Sequence, residues 1–217
     1  MTWPHAEVVG IAALSLRVAL LATAVACALG IPVGLWLGTT AFRGRRALLL
    51  ALNTLLAVPT VVVGLAIYLL LSRHGPLGGL GLLFTWRAIV VAEVVLAFPI
   101  AAALSAAAVQ AADPRIHRTA LTLGAGPVRA ACAVAREARL ALGAAVVVAF
   151  GRVLSEVGAA MIVGGNIRHQ TRTLTTAVAL ATSQGNFALA IALGLVLLAL
   201  AFTVNALILM LRGRGDV

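Results

Sequence analysis

The chain has 217 residues, of which 63% are hydrophobic and only 10% charged, with a mean hydropathy of +1.13. A soluble domain carries about 25% charged residues, so the composition indicates an integral membrane protein without a separate soluble catalytic unit. All 16 basic residues are arginines, against 6 acids, and they are scattered at the ends of apolar stretches. Since no basic stripe is formed, nucleic acid is not an expected partner. We predict a single transmembrane domain over residues 1–217.

Long apolar stretches predict about five membrane-spanning helices. Each stretch is long enough to cross the roughly 30 Å hydrocarbon core as an α-helix. The predicted spans are residues 15–42, 47–72, 88–112, 140–164 and 187–211. The expected fold class is therefore all-α and integral to the membrane.

A shorter uncharged stretch precedes the last span. Residues 173–182 are too few to cross a membrane, and the sequence Ser183-Gln184-Gly185-Asn186 interrupts the apolar run after them. Such a segment is tolerated in a membrane only where protein or water covers its polar backbone ends. We therefore expect a half-helix or re-entrant segment at this place.

A short basic segment, residues 113–139, separates the third and fourth spans. Asp113 followed by Pro114 is a strong helix start, because the carboxylate accepts a hydrogen bond from the first turn and proline fixes φ. Gly124 can end that helix with a positive φ, and Pro127 can begin the next one. The segment therefore predicts two short helices joined by a turn at the membrane surface.

The distribution of arginines predicts the orientation in the membrane. With five spans the two termini lie on opposite sides. Ten arginines then share the side of the basic segment and the C-terminus, and four fall on or near the other side. Because cytoplasmic loops carry the excess of basic residues, we expect the N-terminus outside the inner membrane. The basic segment and the C-terminus are then expected in the cytoplasm.

The sequence offers no pattern typical of a metal or cofactor site. Cys27 lies within an apolar span and Cys132 within the basic segment, so a disulfide between them is not expected. The four histidines are isolated, and no CxxC or His/Cys spacing typical of a metal site occurs in the sequence. We expect this chain to bind no metal and no cofactor of its own.

The basic segment resembles a cytoplasmic loop found in permease subunits of binding-protein-dependent ATP-driven importers. That loop has the form Glu-Ala-Ala, three residues, Gly, and Ala120 with the run 123–125 stands where the pattern expects it. The chain departs from the pattern at Arg118, which occupies the place of the customary Glu, and at Thr119, which replaces the first Ala.

Residues 151–177 resemble the corresponding stretch of permeases that import molybdate, sulfate and tungstate. Gly165-Asn166-Ile167, followed by the Thr/Arg-rich run 171–176, looks most like the tungstate-type branch. The resemblance implies a homodimer surrounded by membrane lipid. It also implies two ATP-binding ATPase subunits and an extracytoplasmic oxyanion-binding protein as partners.

The resemblance assigns the basic segment to coupling with the ATPase. The candidate coupling residues, which would seat the segment in a cleft on each ATPase subunit, are Ala120, Leu123, Gly124, Ala125 and Pro127. An alternative is that the segment only anchors to acidic lipid headgroups. Because the sequence contains no G-x-x-x-x-G-K-[ST] phosphate loop, we expect the chain not to be an enzyme and ATP to be hydrolysed by separate subunits.

The expected function is therefore the translocation pathway of an ATP-driven importer of tungstate, or of molybdate or sulfate. The alternative is a stand-alone secondary carrier or channel for anions that needs no ATPase partner. An inverted repeat of spans would favour a carrier, and no convincing internal match between the two halves is found.

The segment between the fourth span and the half-helix is the candidate substrate pathway. Arginine, threonine and asparagine side chains supply the N–H and O–H donors and the positive potential that a tetrahedral divalent oxyanion needs. The candidate residues are Asn166, Arg168, Thr171, Arg172, Thr173, Thr175 and Thr176. In the alternative interpretation the arginines anchor the loop to lipid headgroups, and the threonines cap the half-helix.

The charged residues Glu93, Arg152 and Glu156 lie deep within predicted spans. A charge in mid-membrane is costly, so none of them should face lipid. Arg152 and Glu156 can interact at i, i+4, and Glu93 lies at a depth that Arg152 could reach, so a cross-helix ion pair is also expected. The functional alternative to these structural pairs is a proton or substrate relay.

Overall fold

The computed structural model describes residues 5–213, and these form ten α-helices and one 3-10 turn, with no strand among them. The helices are α1 His5–Thr39, α2 Arg45–Leu56, α3 Thr60–Leu71, α4 Trp86–Ala111, α5 Pro114–Thr122, α6 Pro127–Glu137, α7 Arg139–Leu154, α8 Gly158–Gly164, α9 Leu174–Ser183 and α10 Phe187–Gly213. The 3-10 turn, Gly78–Leu80, precedes α4. The expected all-α fold class is confirmed.

Three helices are long and apolar enough to cross a membrane: α1, α4 and the Phe187–Ile208 part of α10. Two helix pairs, α2 with α3 and α7 with α8, meet the same criterion only when each pair is taken together across a bend. The described part of the chain therefore contains three candidate spans, or five when each bent pair counts as one. This agrees with the expectation of about five membrane helices.

Two predicted spans are not continuous helices. The predicted span 47–72 is interrupted between α2 and α3, because Pro59 has no N–H to donate and disfavours a helical conformation of the residue before it. The predicted span 140–164 is likewise interrupted at residues 155–157, between α7 and α8. The first helix also starts earlier than predicted, at His5.

The expected half-helix is present as α9, ten residues long and apolar. Two backbone hydrogen bonds of 3.0 and 2.9 Å close its C-terminal end around Gly185, whose φ is +72°. A glycine in this left-handed conformation stops a helix without steric cost. The interruption expected at residues 183–186 is therefore confirmed.

The chain divides into two compact units. The first unit contains the N-terminal parts of α1 and α4, all of α3, and the chain from the C-terminal end of α7 onward. Its main apolar cluster includes Ile89 and Val163, both fully buried. A second cluster joins Leu174 of α9 to Leu193 of α10. The single domain predicted over residues 1–217 stays a prediction.

The second unit contains α2, α5, α6, the C-terminal parts of α1 and α4, and most of α7. Within it α1 and α4 approach closely where glycines recur every fourth residue on α1, at Gly30, Gly34 and Gly38. A Cβ at Gly34 would lie only 2.5 Å from the carbonyl oxygen of Ala102. Small residues at this spacing allow two membrane helices to pack backbone against backbone.

The basic segment forms a helical hairpin, α5 and α6, in the second unit. Asp113 caps α5 by accepting the Arg115 N–H at 2.8 Å. Two backbone hydrogen bonds of 3.0 Å close the end of α5 around Gly124, whose φ is +84°. Pro127 then occupies the first turn of α6. The predicted pair of short helices is confirmed, with its start, turn and restart at the expected residues.

Candidate functional site

The loop between α8 and α9, residues 165–173, carries most of the candidate pathway residues. It folds back on the end of α8, because the Thr171 hydroxyl donates to the Gly164 carbonyl at 2.6 Å and accepts the Ile167 N–H at 2.9 Å. Asn166 has a positive φ of +49°, which asparagine tolerates better than most residues. Thr171 is fully buried, so these bonds fix the shape of the loop.

The other candidate threonines lie at the N-terminal end of α9. Thr173 and Thr176 form a reciprocal cap, in which each backbone N–H donates to the other side-chain hydroxyl at 2.9 and 3.4 Å. Thr175 donates to the Glu156 carbonyl at 2.7 Å. All three are buried. The threonine hydroxyls thus stabilise the loop and helix, as the alternative interpretation predicted, and their place in a substrate pathway stays a prediction.

The two loop arginines converge on a single carboxylate, that of Glu7 in the first turn of α1. The Arg168 guanidinium donates from Nε to Oε1 at 2.8 Å and from Nη2 to Oε2 at 2.7 Å. Arg172 Nη1 lies 3.8 Å from Oε1 of the same carboxylate. Glu7 is not among the residues expected from the sequence, although it is the only acidic residue before Glu93.

The two arginines differ in how firmly they are held. Arg172 is anchored by Asn166, since its Nε donates to the Asn166 side-chain oxygen at 3.2 Å and its Nη2 to the Asn166 carbonyl at 3.4 Å. Only 13% of the Arg172 side chain is exposed, against 58% for Arg168. Asn166 and Arg172 therefore form the fixed part of the site, and Arg168 forms its exposed part.

The electrostatics of the site leave an excess of positive charge. The hydrogen bond that Arg168 donates to Glu7 raises the pKa of the Arg168 guanidinium, and burial lowers the pKa of Arg172. Arginine stays protonated in proteins despite such shifts. Two guanidinium charges thus face one carboxylate, and the loop keeps one positive charge uncompensated by Glu7.

A cavity of about 490 Å³ opens beside these charges. Its lining includes Glu7 and four residues of the loop, namely Arg168, His169, Gln170 and Arg172. The apolar remainder comes from the first turns of α1. Guanidinium, imidazole and amide groups can all donate hydrogen bonds, so this cavity has the chemistry to hold an anion.

Of Glu93, Arg152 and Glu156, the last two form an ion pair. Arg152 Nη1 lies 2.9 Å from Glu156 Oε2, at the expected i, i+4 spacing. Glu156 Oε1 also accepts the Ala159 N–H at 3.2 Å and so caps the start of α8. The expected Glu93–Arg152 ion pair is not formed among the described residues, because Glu156 lies one helical turn from Arg152 and takes its guanidinium. Glu93 is buried, and its Oε2 has no hydrogen-bond partner in the described part of the chain.

The candidate coupling residues lie around the turn of the hairpin. Gly124 and Pro127 are exposed, and Ala120 and Ala125 are half-buried. Leu123 is 82% exposed, and Val128 next to Pro127 is 75% exposed. The turn therefore presents apolar side chains away from the unit to which it belongs.

Comparison with known proteins places the chain in a family. The pattern of the binding-protein-dependent transport system inner membrane component family matches residues 30–214. The chain is 43% identical over 165 residues to the tungstate uptake system permease protein of Peptoclostridium acidaminophilum. The matched stretch covers 76% of this chain and 72% of that relative. The chain is 42% identical over 175 residues to a probable anion ABC transporter permease protein of Haloferax volcanii, covering 78% and 75%.

A more distant relative is the molybdenum transport system permease protein of Escherichia coli (strain K12). It is 32% identical over 173 residues, and the matched stretch covers 76% of each of the two chains. Members of this family are membrane permease subunits of importers and not enzymes, and they work with a separate ATPase and a binding protein. The matched residues include both the hairpin and the loop of the site. The chain belongs to the family of binding-protein-dependent transport system inner membrane components.

Proposed function

We propose that this chain conducts an oxyanion across the membrane as the permease subunit of an ATP-driven importer, with tungstate as the first candidate substrate and molybdate or sulfate next. The observation that carries the proposal is the 43% identity to a tungstate uptake permease over most of both chains. The identity to a molybdenum permease is lower, at 32%. Selection among oxyanions rests mainly with the binding protein.

The working assembly is a homodimer of this chain with two ATPase subunits and an extracytoplasmic oxyanion-binding protein, embedded in lipid. The N-terminus lies outside the inner membrane, and the hairpin and the C-terminus lie in the cytoplasm. The arginine distribution supports this orientation. The chain binds no cofactor itself, and nucleotide is held by the ATPase subunits.

The hairpin transmits the movement of the ATPase to the membrane helices. Its exposed Leu123 and Val128 suit an apolar cleft on a partner protein. Its turn is defined by the positive φ of Gly124 and by the proline at the start of α6. A stiff two-helix element of this kind moves as one body when a partner pushes it.

The outer end of the pathway is the arginine site of the loop between α8 and α9. Arg168, Arg172 and Asn166 attract and orient the incoming oxyanion. Two unit charges 4 Å apart interact by about 4 kcal/mol at an effective dielectric of about 20. An attraction of that size holds an anion briefly and still permits its release.

Family membership favours the importer over a stand-alone carrier. The deciding experiment reconstitutes the chain in vesicles with its cognate ATPase, adds the binding protein outside, and measures ATP-dependent uptake of tungstate, molybdate and sulfate in turn. The expected result is uptake that needs all three components and is fastest with tungstate. Vesicles that contain only this chain serve as the control, and concentrative uptake by them at full speed would contradict the proposal.

A further inference from the structure

We propose that Arg168 and Arg172 form a binding subsite for a tetrahedral divalent oxyanion, and that the Glu7 carboxylate occupies this subsite as an internal competitor of the substrate. This inference rests on the proposed oxyanion transport and adds a residue, Glu7, and a mode of regulation to it. Displacement of Glu7 by the oxyanion is then one step of substrate entry.

The contact between Glu7 and Arg168 has the geometry of oxyanion recognition. Both carboxylate oxygens are bound, one by Nε at 2.8 Å and one by Nη2 at 2.7 Å. An arginine fork binds two oxygens of a tetrahedral oxyanion in the same two-point manner as two oxygens of a carboxylate. The carboxylate of Glu7 therefore stands in for the edge of an anionic ligand.

The other half of the subsite is preformed. Arg172 is largely buried and is held in place by two hydrogen bonds to Asn166, of 3.2 and 3.4 Å. Asn166 is itself fixed by a hydrogen bond from its side-chain nitrogen to the Thr176 carbonyl at 3.4 Å. These contacts do not involve Glu7, so the position of Arg172 does not depend on which anion occupies the subsite.

Charge and space both favour a ligand larger than a carboxylate. Two guanidinium groups face the single negative charge of Glu7, whereas a divalent oxyanion matches both of them. Glu7 reaches Arg168 at hydrogen-bond distance but lies 3.8 Å from Arg172 Nη1, so the carboxylate makes no short contact with the second arginine and is bound closely by the first alone. The adjoining cavity of about 490 Å³ gives a tetrahedral anion room to contact both.

The competition sets how tightly the subsite holds substrate. An oxyanion has to displace a tethered carboxylate that is always present, so its apparent affinity is lower than the two arginines alone would give. A weak subsite is useful in an importer, because an anion that binds tightly at the outer end would not move on. Arg168 supplies the entrance to the subsite, since more than half of its side chain is exposed.

The test compares thermal unfolding of the full-length chain in detergent, in tungstate and in chloride at matched ionic strength, for the wild type and Glu7→Gln. Glu7→Gln should unfold at a lower temperature in chloride, because it loses the two-point ion pair with Arg168 and no longer offsets the repulsion between the two arginines. Tungstate should restore its stability, at a half-maximal concentration about tenfold lower than that needed to shift the wild type.

Three variants make the comparison specific. Glu7→Gln combined with Arg168→Gln should lose the response to tungstate. Glu156→Gln, which breaks the ion pair with Arg152 elsewhere in the first unit, should be destabilised without gaining a tungstate response. If Glu7→Gln does not fold, Glu7→Asp gives the same comparison with a smaller amplitude, since its shorter carboxylate reaches Arg168 less well.

The proposal is overturned if tungstate stabilises Glu7→Gln no more than the wild type, or if the double variant responds as strongly as Glu7→Gln alone. Neither outcome decides whether the chain takes part in ATP-dependent import, because the measurement uses no ATPase, no binding protein and no uptake. Conversely, loss of ATP-dependent uptake in the reconstituted assembly with a normal tungstate response in detergent would refute the importer and leave the subsite in place.

Discussion

Glu7 and Arg168 are 161 positions apart in the chain, yet they form a two-point ion pair with both donor–acceptor distances below 3 Å. The pair ties the first turn of α1 to the loop between α8 and α9, and Arg172 adds a third, longer contact. It thereby gives the loop arginines a counter-charge from the chain itself. In the proposed subsite, this glutamate is the group that an incoming anion has to displace.

Thr171 is predicted to be the residue on which the shape of that loop depends most. Thr171→Val keeps the size of the side chain but removes its bonds to the buried Gly164 carbonyl and to the partly buried Ile167 N–H. We expect a loss of about 2 kcal/mol in the free energy of unfolding, measured by thermal unfolding in detergent.

The matched control is Thr182→Val on α9. Thr182 also donates to a backbone carbonyl, that of Val178 at 2.9 Å, but it is exposed and water can replace its bond. Thr171→Ser, which keeps the hydroxyl, should recover most of the stability. Equal effects of the two valine substitutions would show that Thr171 does not hold the loop.

Glu93 and Glu156, the buried glutamates of the predicted spans, should respond differently to substitution by glutamine. Glu156→Gln loses the ion pair with Arg152 at 2.9 Å, and we expect it to reduce the free energy of unfolding by about 1 kcal/mol, since Arg152 is partly exposed. Glu93→Gln removes a buried carboxylate with an unpartnered oxygen, so it should be neutral or stabilising.

Folding yield and thermal unfolding of the two variants, purified side by side, check this contrast. If Glu93→Gln and Glu156→Gln both fold and unfold as the wild type does, the structural role of the charged cluster is wrong. ATP-dependent uptake adds a second test. A large loss of uptake in Glu93→Gln at unchanged stability would favour the proton or substrate relay instead.

Sequence patterns that involve only a few neighbouring residues, such as capping residues and i, i+4 spacing, predicted much of this structure. The hairpin starts at Asp113, turns at Gly124 and restarts at Pro127 as expected, because capping and positive φ are properties of the local backbone. The Arg152–Glu156 pair follows from its i, i+4 spacing. The half-helix follows from the length of its apolar run.

Two kinds of feature were not predictable in this way. Hydropathy measures how apolar a stretch is and does not show where a helix axis bends. The interruptions of the predicted spans 47–72 and 140–164 therefore did not appear in the span assignment. Pro59 is the local signal in the sequence that indicates the first of them, as a kink within the span. The Glu7–Arg168 pair joins distant parts of the chain, and no spacing in the sequence relates them. The same holds for the absence of a Glu93–Arg152 pair from the described residues.

In the second unit α1 packs closely against α4, and we predict that this packing depends most on Gly34. A Cβ at this position would lie 2.5 Å from the Ala102 carbonyl oxygen and 2.6 Å from the Ser105 Cβ, so Gly34→Ala forces the helices apart. We expect a loss of about 1–3 kcal/mol in the free energy of unfolding. Gly194→Ala on α10, where nothing lies within 4 Å, should be neutral or slightly stabilising. Equal melting temperatures for the two variants would contradict the close approach.

The turn of the hairpin is the proposed contact with the ATPase, and its shape depends on Gly124. Gly124 has a φ of +84°, a conformation that costs a residue with a side chain roughly 1–2 kcal/mol. Gly126 has a φ of −66° and a ψ of 164°, an extended conformation that any residue adopts. No heavy atom lies within 4 Å of a Cβ at either position, so Gly124→Val and Gly126→Val differ in backbone strain and not in crowding within the chain.

Gly124→Val should therefore distort the turn and reduce copurification of the cognate ATPase from detergent extracts, with membrane insertion unchanged. Gly126→Val adds the same bulk two residues away and should retain the ATPase. If both variants retain it equally, the shape of the turn is not what the ATPase recognises. If both lose it equally, added bulk at the tip rather than strain at Gly124 is responsible, because the partner then contacts the whole turn closely.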